Sequence, residues 1–462
     1  MKKPNLAKGT RDFNATTLYK RRYILNTIQS YFENYGFEPL ETPSFEQLET
    51  LTGKYGEEGD QLIFKILNNG LDHPSKHDKS RKALEEVLKG KSNTDLTERA
   101  LRYDLTIPFA RYVVMNHNDL VMPYKRYQMQ PVWRADRPQK GRYREFMQCD
   151  ADVIGSDSLI HEAELLSVYA KVFKALAIPE INILVNNRKV LSGLAEKIKA
   201  EDKMMDMTIA IDKLDKIGWD GVKKELTAKD FDENQVQTIQ EFIAIQSEDN
   251  QEVLAQMEAF LSGTENGQKG IEELKEVMKY VGYLTSKEEM STIKIQFSLA
   301  RGLNYYTGFI VEVMTTAVKM GSIAGGGRYD DLTGLFGLKN MSGVGISFGI
   351  DRIYDVLEEL DLFPPSLTQG GVQVLFLYLE EEALPIIFEQ MQLLRAQGIS
   401  AELYARKAKM GNQMKFADRK QIGNVVIIGS QELQANQAQI RNMKSGEQTS
   451  VSLDSIASFF KS

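Results

Sequence analysis

The sequence predicts a mixed α/β protein of two domains: an antiparallel sheet flanked by helices and carrying a helical insertion, then a smaller α/β unit. Three observations carry this reading. Two strand-like runs, 124–134 and 144–154, flank a charged stretch with proline and glycine, the pattern of an antiparallel hairpin with a long loop. From about 194 to 286 the chain is highly charged, rich in Met, Lys, Glu and Gln, and poor in strand signals, which reads as inserted helices. After FPPSLTQGG (363–371), the best linker in the chain, apolar strand runs alternate with helical ones to the end. Domains are therefore expected over 1–365 and 372–462.

In chain order, residues 18–35 place Ile24, Leu25, Ile28, Tyr31, Phe32 and Tyr35 at helical spacing, and Gly36 follows as a stop. Pro39 and Pro43 hold the next segment extended. Residues 68–97, rich in Lys, Asp and Ser, read as a surface excursion with one helix over 82–89. A helix over 160–176 follows the hairpin. Strands return at 293–300 and 309–314, before a glycine cluster (321–331) and a helix over 348–360. In the last domain 372–379 and 425–429 are buried strands, and a helix over 384–397 is stopped by Gly398.

With 42% hydrophobic and 26% charged residues, the composition is that of a globular protein. No apolar run reaches the roughly 18 residues a membrane span needs. The start, MKKPNLAKGTRDF, lacks the apolar core of a secretory signal, so a cytoplasmic protein without a membrane partner is expected. Cys149 is the lone cysteine, which excludes an internal disulfide and a thiolate zinc site. Of four histidines only His73 and His77 are spaced like metal ligands, and their lysine-rich surroundings read as a solvated loop. No metal site of the chain's own is expected.

A net charge of −7 argues against a protein that coats nucleic acid, but local patches set contact potential. Residues 134–144 carry Arg134, Arg137, Lys140, Arg142 and Arg144 against Asp136 alone. Residues 406–420 carry Arg406, Lys407, Lys409, Lys415, Arg419 and Lys420 against Asp418 alone. Any such run can be a solvated face. On a hairpin, however, arginines short of acidic partners suit a polyphosphate, because the planar fork binds phosphate oxygens in pairs. Phe146, on the returning strand, could stack on a purine ring.

Three further peptides are weak singly. SLARGLNYYTG (298–308) offers Arg301, Tyr305 and Tyr306, and the tyrosines alone would fit a half-buried strand. GSIAGGGRYDD (321–331) is neither a P-loop nor a dinucleotide fingerprint and by itself reads as a turn. GVGISFGIDRI (343–353) leads into a helix with Arg352 in its first turns, where a cation gains nothing from the helix dipole and so implies a partner such as phosphate.

Taken in order, these segments resemble the histidyl-tRNA synthetases, a class II aminoacyl-tRNA synthetase family, from KGTRDF (8–13) into the final domain. Residues around Pro43 resemble class II motif 1, residues 124–152 motif 2 and residues 343–354 motif 3, while RGLNYYTG and AGGGRYDD resemble the two peptides peculiar to the histidine enzymes. The resemblance implies a class II antiparallel sheet, a C-terminal α/β anticodon-binding domain, and ATP-dependent ligation of L-histidine to tRNA(His) through an adenylate. It also implies ATP with Mg²⁺ and a homodimer.

Roles follow by position. Arg134 and Arg352 would hold the α- and γ-phosphates, Arg142 would also reach phosphate, and Phe146 would lie under adenine. Asp104 and Thr106 would contact the α-amino group, and Gln148 and Asp152 would line the amino-acid pocket. Arg301 would be catalytic beside the α-phosphate, with Arg134, and Tyr305 and Tyr306 would sit around the imidazole. Arg406, Lys407, Lys409 and Lys415 become candidates for tRNA backbone contact. Asn304 stands where many family members have Asp, and QCD (148–150) resembles the eukaryote-like branch. The competing reading is a catalytically inactive paralogue that regulates or senses tRNA; the intact arginines and the C-terminal domain weigh against it.

Overall fold

The structure, a computed structural model, describes residues 4–53, 56–139, 141–300, 306–365, 367 and 371–461. Two compact units emerge: residues 1–12 with 21–362, and residues 13–20 with 363–462. The first holds strands β1 (Glu38–Pro39), β2 (Phe45–Gln47), β3 (Lys65–Ile66), β4 (Arg99–Leu101), β5 (Tyr124–Trp133), β6 (Glu145–Ile154), β7 (Ile181–Asn187), β8 (Ile293–Ile295), β9 (Phe309–Thr315), β10 (Ala324–Tyr329) and β11 (Gly343–Gly349). Eight of them form one sheet in the order β1-β5-β6-β11-β10-β9-β7-β8, antiparallel except at its two ends, and β2-β4-β3 make a small second sheet.

The hairpin β5–β6 pairs over ten positions, from Tyr124 with Ile154 to Trp133 with Glu145, and its loop is the basic stretch. The glycine cluster is not a turn. Ala324–Tyr329 is a strand in mid-sheet, between β9 and β11. Its glycines serve close approach: a Cβ on Gly326 would lie 2.2 Å from Gly345 O and 2.8 Å from Ile346 Cα. Behind the sheet Phe348 of β11 packs on Phe32 of the helix Ala15–Asn34 and on Tyr169 and Phe173 of the helix Ile160–Ala175.

The helices between β7 and β8 run from Arg188–Lys197 to Lys287–Ser291, beginning before and ending after the stretch marked by composition. Asn187, the last residue of β7, caps the first of them by accepting from Lys189 N–H at 2.9 Å. The helix Glu265–Leu284 crosses Arg188–Lys197 at a glycine contact, where a Cβ on Gly193 would lie 2.3 Å from Gly267 Cα.

The second unit has β12 (Val374–Phe376), β13 (Ala401–Leu403), β14 (Asn424–Ile427), β15 (Gln437–Asn442) and β16 (Gln448–Ser452) in the order β13-β12-β14-β15-β16, with the first three parallel. Val374 and Phe376 enter one apolar cluster and Leu375 another, so β12 is covered on both faces and its sequence is continuously apolar.

Because the atoms a new methyl would strike are backbone, Gly326→Ala cannot be absorbed by a rotamer change. It is expected to cost about 3 kcal/mol of stability in urea unfolding of the intact protein. Unchanged stability would contradict the close-approach account of β10.

Candidate active site

The hairpin's alternation builds one polar sheet face. On β6, Gln148, Asp150 and Asp152 share a face, and β5 sets Gln130, Gln128 and Arg126 opposite them. On the other side β11 presents Gly349, Ser347 and Gly345, and β10 presents Gly325 and Gly327. Large polar side chains on two strands thus stand beside nearly bare backbone on the next two. The bare strands are where a ligand can lie.

Two cavities open there. The larger, 450 Å³, is lined by Arg134, Arg142, Phe146 and Arg352, together with Tyr143, Ser322, Gly349 and Asp351. All four residues assigned to ATP by resemblance stand on its wall. The smaller, 90 Å³, is lined by Asp104, Thr106, Gln148, Asp152 and Tyr306, together with Asp150 and Tyr329. Arg134, Gln148, Gly325 and Ser347 line both. Arg301 and Tyr305 lie outside the described residues.

Arg134 leaves the end of β5 and is held by flat partners: its guanidinium carbon lies 4.3 Å from the Tyr103 ring centroid and 5.1 Å from that of Phe146. Its Nε donates to Tyr103 O at 3.1 Å. Arg352 donates from Nε to Gly141 O at 3.0 Å and from Nη1 to Ser322 O, which joins the start of the helix Ile350–Glu359 to the hairpin loop. The loop arginines are better partnered than their count of acids implied. Arg142 pairs with Asp136 at 2.9 Å, and Arg144 donates to the carbonyls of Asp136 and Lys8.

In the smaller cavity Asp152 pairs with Arg126 at 2.7 Å and accepts from the Tyr329 hydroxyl at 2.7 Å. Arg126, fully buried, stacks on Phe109 at 4.2 Å. Asp104 accepts from Ile107 N–H at 3.1 Å, in the first turn of the helix Thr106–Asn116. The Tyr306 ring lies over Gly327, where a Cβ would come within 2.9 Å of it.

Sequence reasoning missed Asp150, Tyr329, Arg126 and Ser347. Gln148 and Asp152 came from the family resemblance; the period-two alternation that sets them on one face passes through Asp150 and could have found it. Burial raises the Asp150 carboxyl to about 7; Asp152 and Asp104 push the same way, while Arg126 and the Ser347 hydroxyl oppose. Asp152 is also raised, chiefly by burial, against Arg126 and the Tyr329 hydrogen bond.

In the second unit Arg406, Lys407, Lys409 and Lys415 are all exposed, at and before the helix Met410–Arg419. Lys407 pairs with Glu380 at 2.9 Å, and Lys420 with Glu402 at 3.0 Å.

Comparison with known proteins places this architecture. A family model described as histidyl-tRNA synthetase matches residues 74–353, and one described as anticodon binding domain matches residues 373–462. The chain is 51% identical over 464 residues to a protein of Christiangramia forsetii named histidine–tRNA ligase, covering 99% of each chain. It is 48% identical over 470 residues to one of that name from Flavobacterium johnsoniae, covering 98% of each. The crystal structure of histidyl-tRNA synthetase from Nostoc sp. PCC 7120 superposes with a TM-score of 0.82 at 32% identity over 99% of both chains. The chain belongs to the histidyl-tRNA synthetase family.

Proposed function

We propose that this protein ligates L-histidine to tRNA(His) with ATP, through a histidyl-adenylate formed where the two cavities meet. The observation that carries this reading is the shared wall of Arg134, Gln148, Gly325 and Ser347 between a nucleotide-sized and an amino-acid-sized cavity. A carboxylate in the smaller cavity faces an α-phosphorus in the larger one across that wall. Its oxygen attacks phosphorus in line and pyrophosphate leaves; a terminal ribose hydroxyl of the tRNA then attacks the carbonyl and AMP leaves.

Both reactants of the first step are anions, so the site must align them and neutralise the charge that builds between them. Arg134, pinned between Tyr103 and Phe146, does so without supplying a proton. Arg301 takes its catalytic role with Arg134 from the family resemblance, Arg142 and Arg352 hold the outer phosphates, and Phe146 supports adenine. Asp104 and Thr106 take the α-amino group. Gln148, Asp152, Tyr305 and Tyr306 surround the imidazole, and an apolar substrate there would leave buried polar groups unpaired.

Mg²⁺ would neutralise charge on the triphosphate. The carboxylates on the larger cavity's wall, Asp136 and Asp351, are already paired with arginines, so the metal comes held by the nucleotide and no step here depends on it.

Residues 372–462 take the anticodon, with Arg406, Lys407, Lys409 and Lys415 against its backbone. A homodimer is supported by exposed apolar side chains, Phe45 of β2, Met115 in the last turn of the helix Thr106–Asn116 and Val121 in the segment that follows it. The inactive-paralogue reading is disfavoured by Arg134 and Arg352 standing together in the larger cavity.

Purified protein should catalyse pyrophosphate exchange into ATP with histidine and not with other amino acids. Absence of exchange from a folded sample would overturn the ligase reading.

The buried carboxylates also set a pH dependence. Asp150 titrates near 7 in the folded protein against 3.8 for a free side chain, so between those values the folded state keeps a proton the unfolded chain has lost. Its contribution to stability is full below about pH 4 and is lost as pH rises through about 7. Asp150→Asn, which never ionises, should gain stability relative to the parent protein from about pH 5 to pH 8, on the order of a few kcal/mol. Parallel melting-temperature profiles for the two proteins would contradict the assignment.

A further inference from the structure

The peptide KGTRDF (8–13) has no part in the chemistry above, yet it packs against the hairpin loop that carries Arg142. Gly9 O accepts from Arg144 N–H at 3.0 Å, and Arg144 reaches Lys8 O. Gly9 has φ +89°, and a Cβ there would lie 2.8 Å from Arg144 Cγ, so the peptide runs hard against the loop. Two residues on, the Arg11 guanidinium carbon lies 3.3 Å from the Tyr143 ring centroid and its Nη2 pairs with Asp351 Oδ1. The same oxygen takes Arg21 Nη1 at 2.6 Å, and Asp351 Oδ2 accepts from Met147 N–H at 3.1 Å.

Tyr143 and Asp351 stand on the wall of the larger cavity, and Asp351 immediately precedes Arg352 at the start of its helix. One side chain from the N-terminal peptide therefore joins the loop that bears Arg142 to the turn that bears Arg352. Both halves of that join use the guanidinium plane: its face covers a ring and its edge meets a carboxylate. Arg21 grips the same carboxylate from the helix Ala15–Asn34.

We infer that Arg11 is a positioning residue for the triphosphate: it locks the loop against the helix start so that Arg142 and Arg352 face one ligand. The inference rests on the larger cavity being the ATP site. Misplacing a phosphate ligand weakens nucleotide binding while the histidine cavity, on the far side of Arg134, is untouched.

Full-length Arg11→Gln and Arg11→Lys are compared with the parent in pyrophosphate exchange, varying ATP and histidine separately, alongside thermal unfolding. Arg11→Gln should raise the KM for ATP about tenfold, the loss of one charge-assisted contact, with the histidine KM within about twofold and melting little changed. Arg11→Lys should recover part of the loss, since it keeps the charge but not the planar stack. An unchanged ATP KM, or equal rises in both KM values with a lowered melting temperature, overturns the inference. Tyr143→Leu removes the stacking ring, with its hydroxyl's contact to Asp355, and must give the same ATP-selective split should Arg11→Gln not fold, whereas Tyr143→Phe, which keeps the ring, must not. Arg352→Ala separates the two ways of failing. If it too leaves the ATP KM unchanged, the nucleotide lies elsewhere; if it raises the KM and Arg11→Gln does not, the latch alone is refuted.

Discussion

Strands β10 and β11 approach so closely, and with so little side chain, that space for a ligand exists in the middle of a sheet. Gly325, Gly327, Gly345 and Gly349 share one face of these two strands, on which Ser347 is the largest side chain the strands themselves contribute. A Cβ on Gly345 would fall 2.0 Å from Asp152 Oδ1, and one on Gly327 would displace the Tyr306 ring. The cavities therefore follow from the residue set of two strands. Their floor is backbone, held from behind by Tyr169, whose hydroxyl donates to Gly325 O at 2.8 Å and accepts from Ser347 N–H at 3.2 Å.

Next to that bare floor stands a wall of buried charge. Asp150, Asp152 and Arg126 project from adjoining strands into a space too enclosed for water to screen them, and burial disfavours both carboxylates as anions. Such groups are costly alone and become favourable when a ligand with polar nitrogens meets them. An imidazole is a ligand of that kind, and the same desolvation that raises Asp150 penalises an apolar competitor. Stability and selectivity thus draw on one cluster.

Much of this was legible in the sequence, and unevenly. The hairpin could be read because Gln148, Asp150 and Asp152 alternate with Cys149, Ala151 and Val153. The helix Ile160–Ala175 and the parallel strands of the second unit showed the periods expected of them. The glycine cluster misled, because three glycines are a turn signal locally and only the neighbouring strands reveal that they make a floor. The small sheet β2-β4-β3 was invisible, since strands of two or three residues carry no period. Among site residues, Arg134 and Arg142 were found through the loop's scarcity of acids, although Asp136 proves to pair with Arg142, while Arg301 took its role from the family resemblance. Tyr329 was missed because only its contact with Asp152, far away in sequence, singles it out, whereas Asp150 stood on the face that the alternation of β6 already marks.

The central claim is that nucleotide and amino acid occupy adjoining cavities that share Arg134, Gln148, Gly325 and Ser347. Calorimetric titration with a non-hydrolysable histidyl-adenylate analogue, in which a sulfamate replaces the phosphate, tests it most directly. One molecule spanning both cavities should bind at least about a hundredfold more tightly than histidine or ATP alone. An analogue bound no more tightly than ATP would place the two ligands apart and contradict the account.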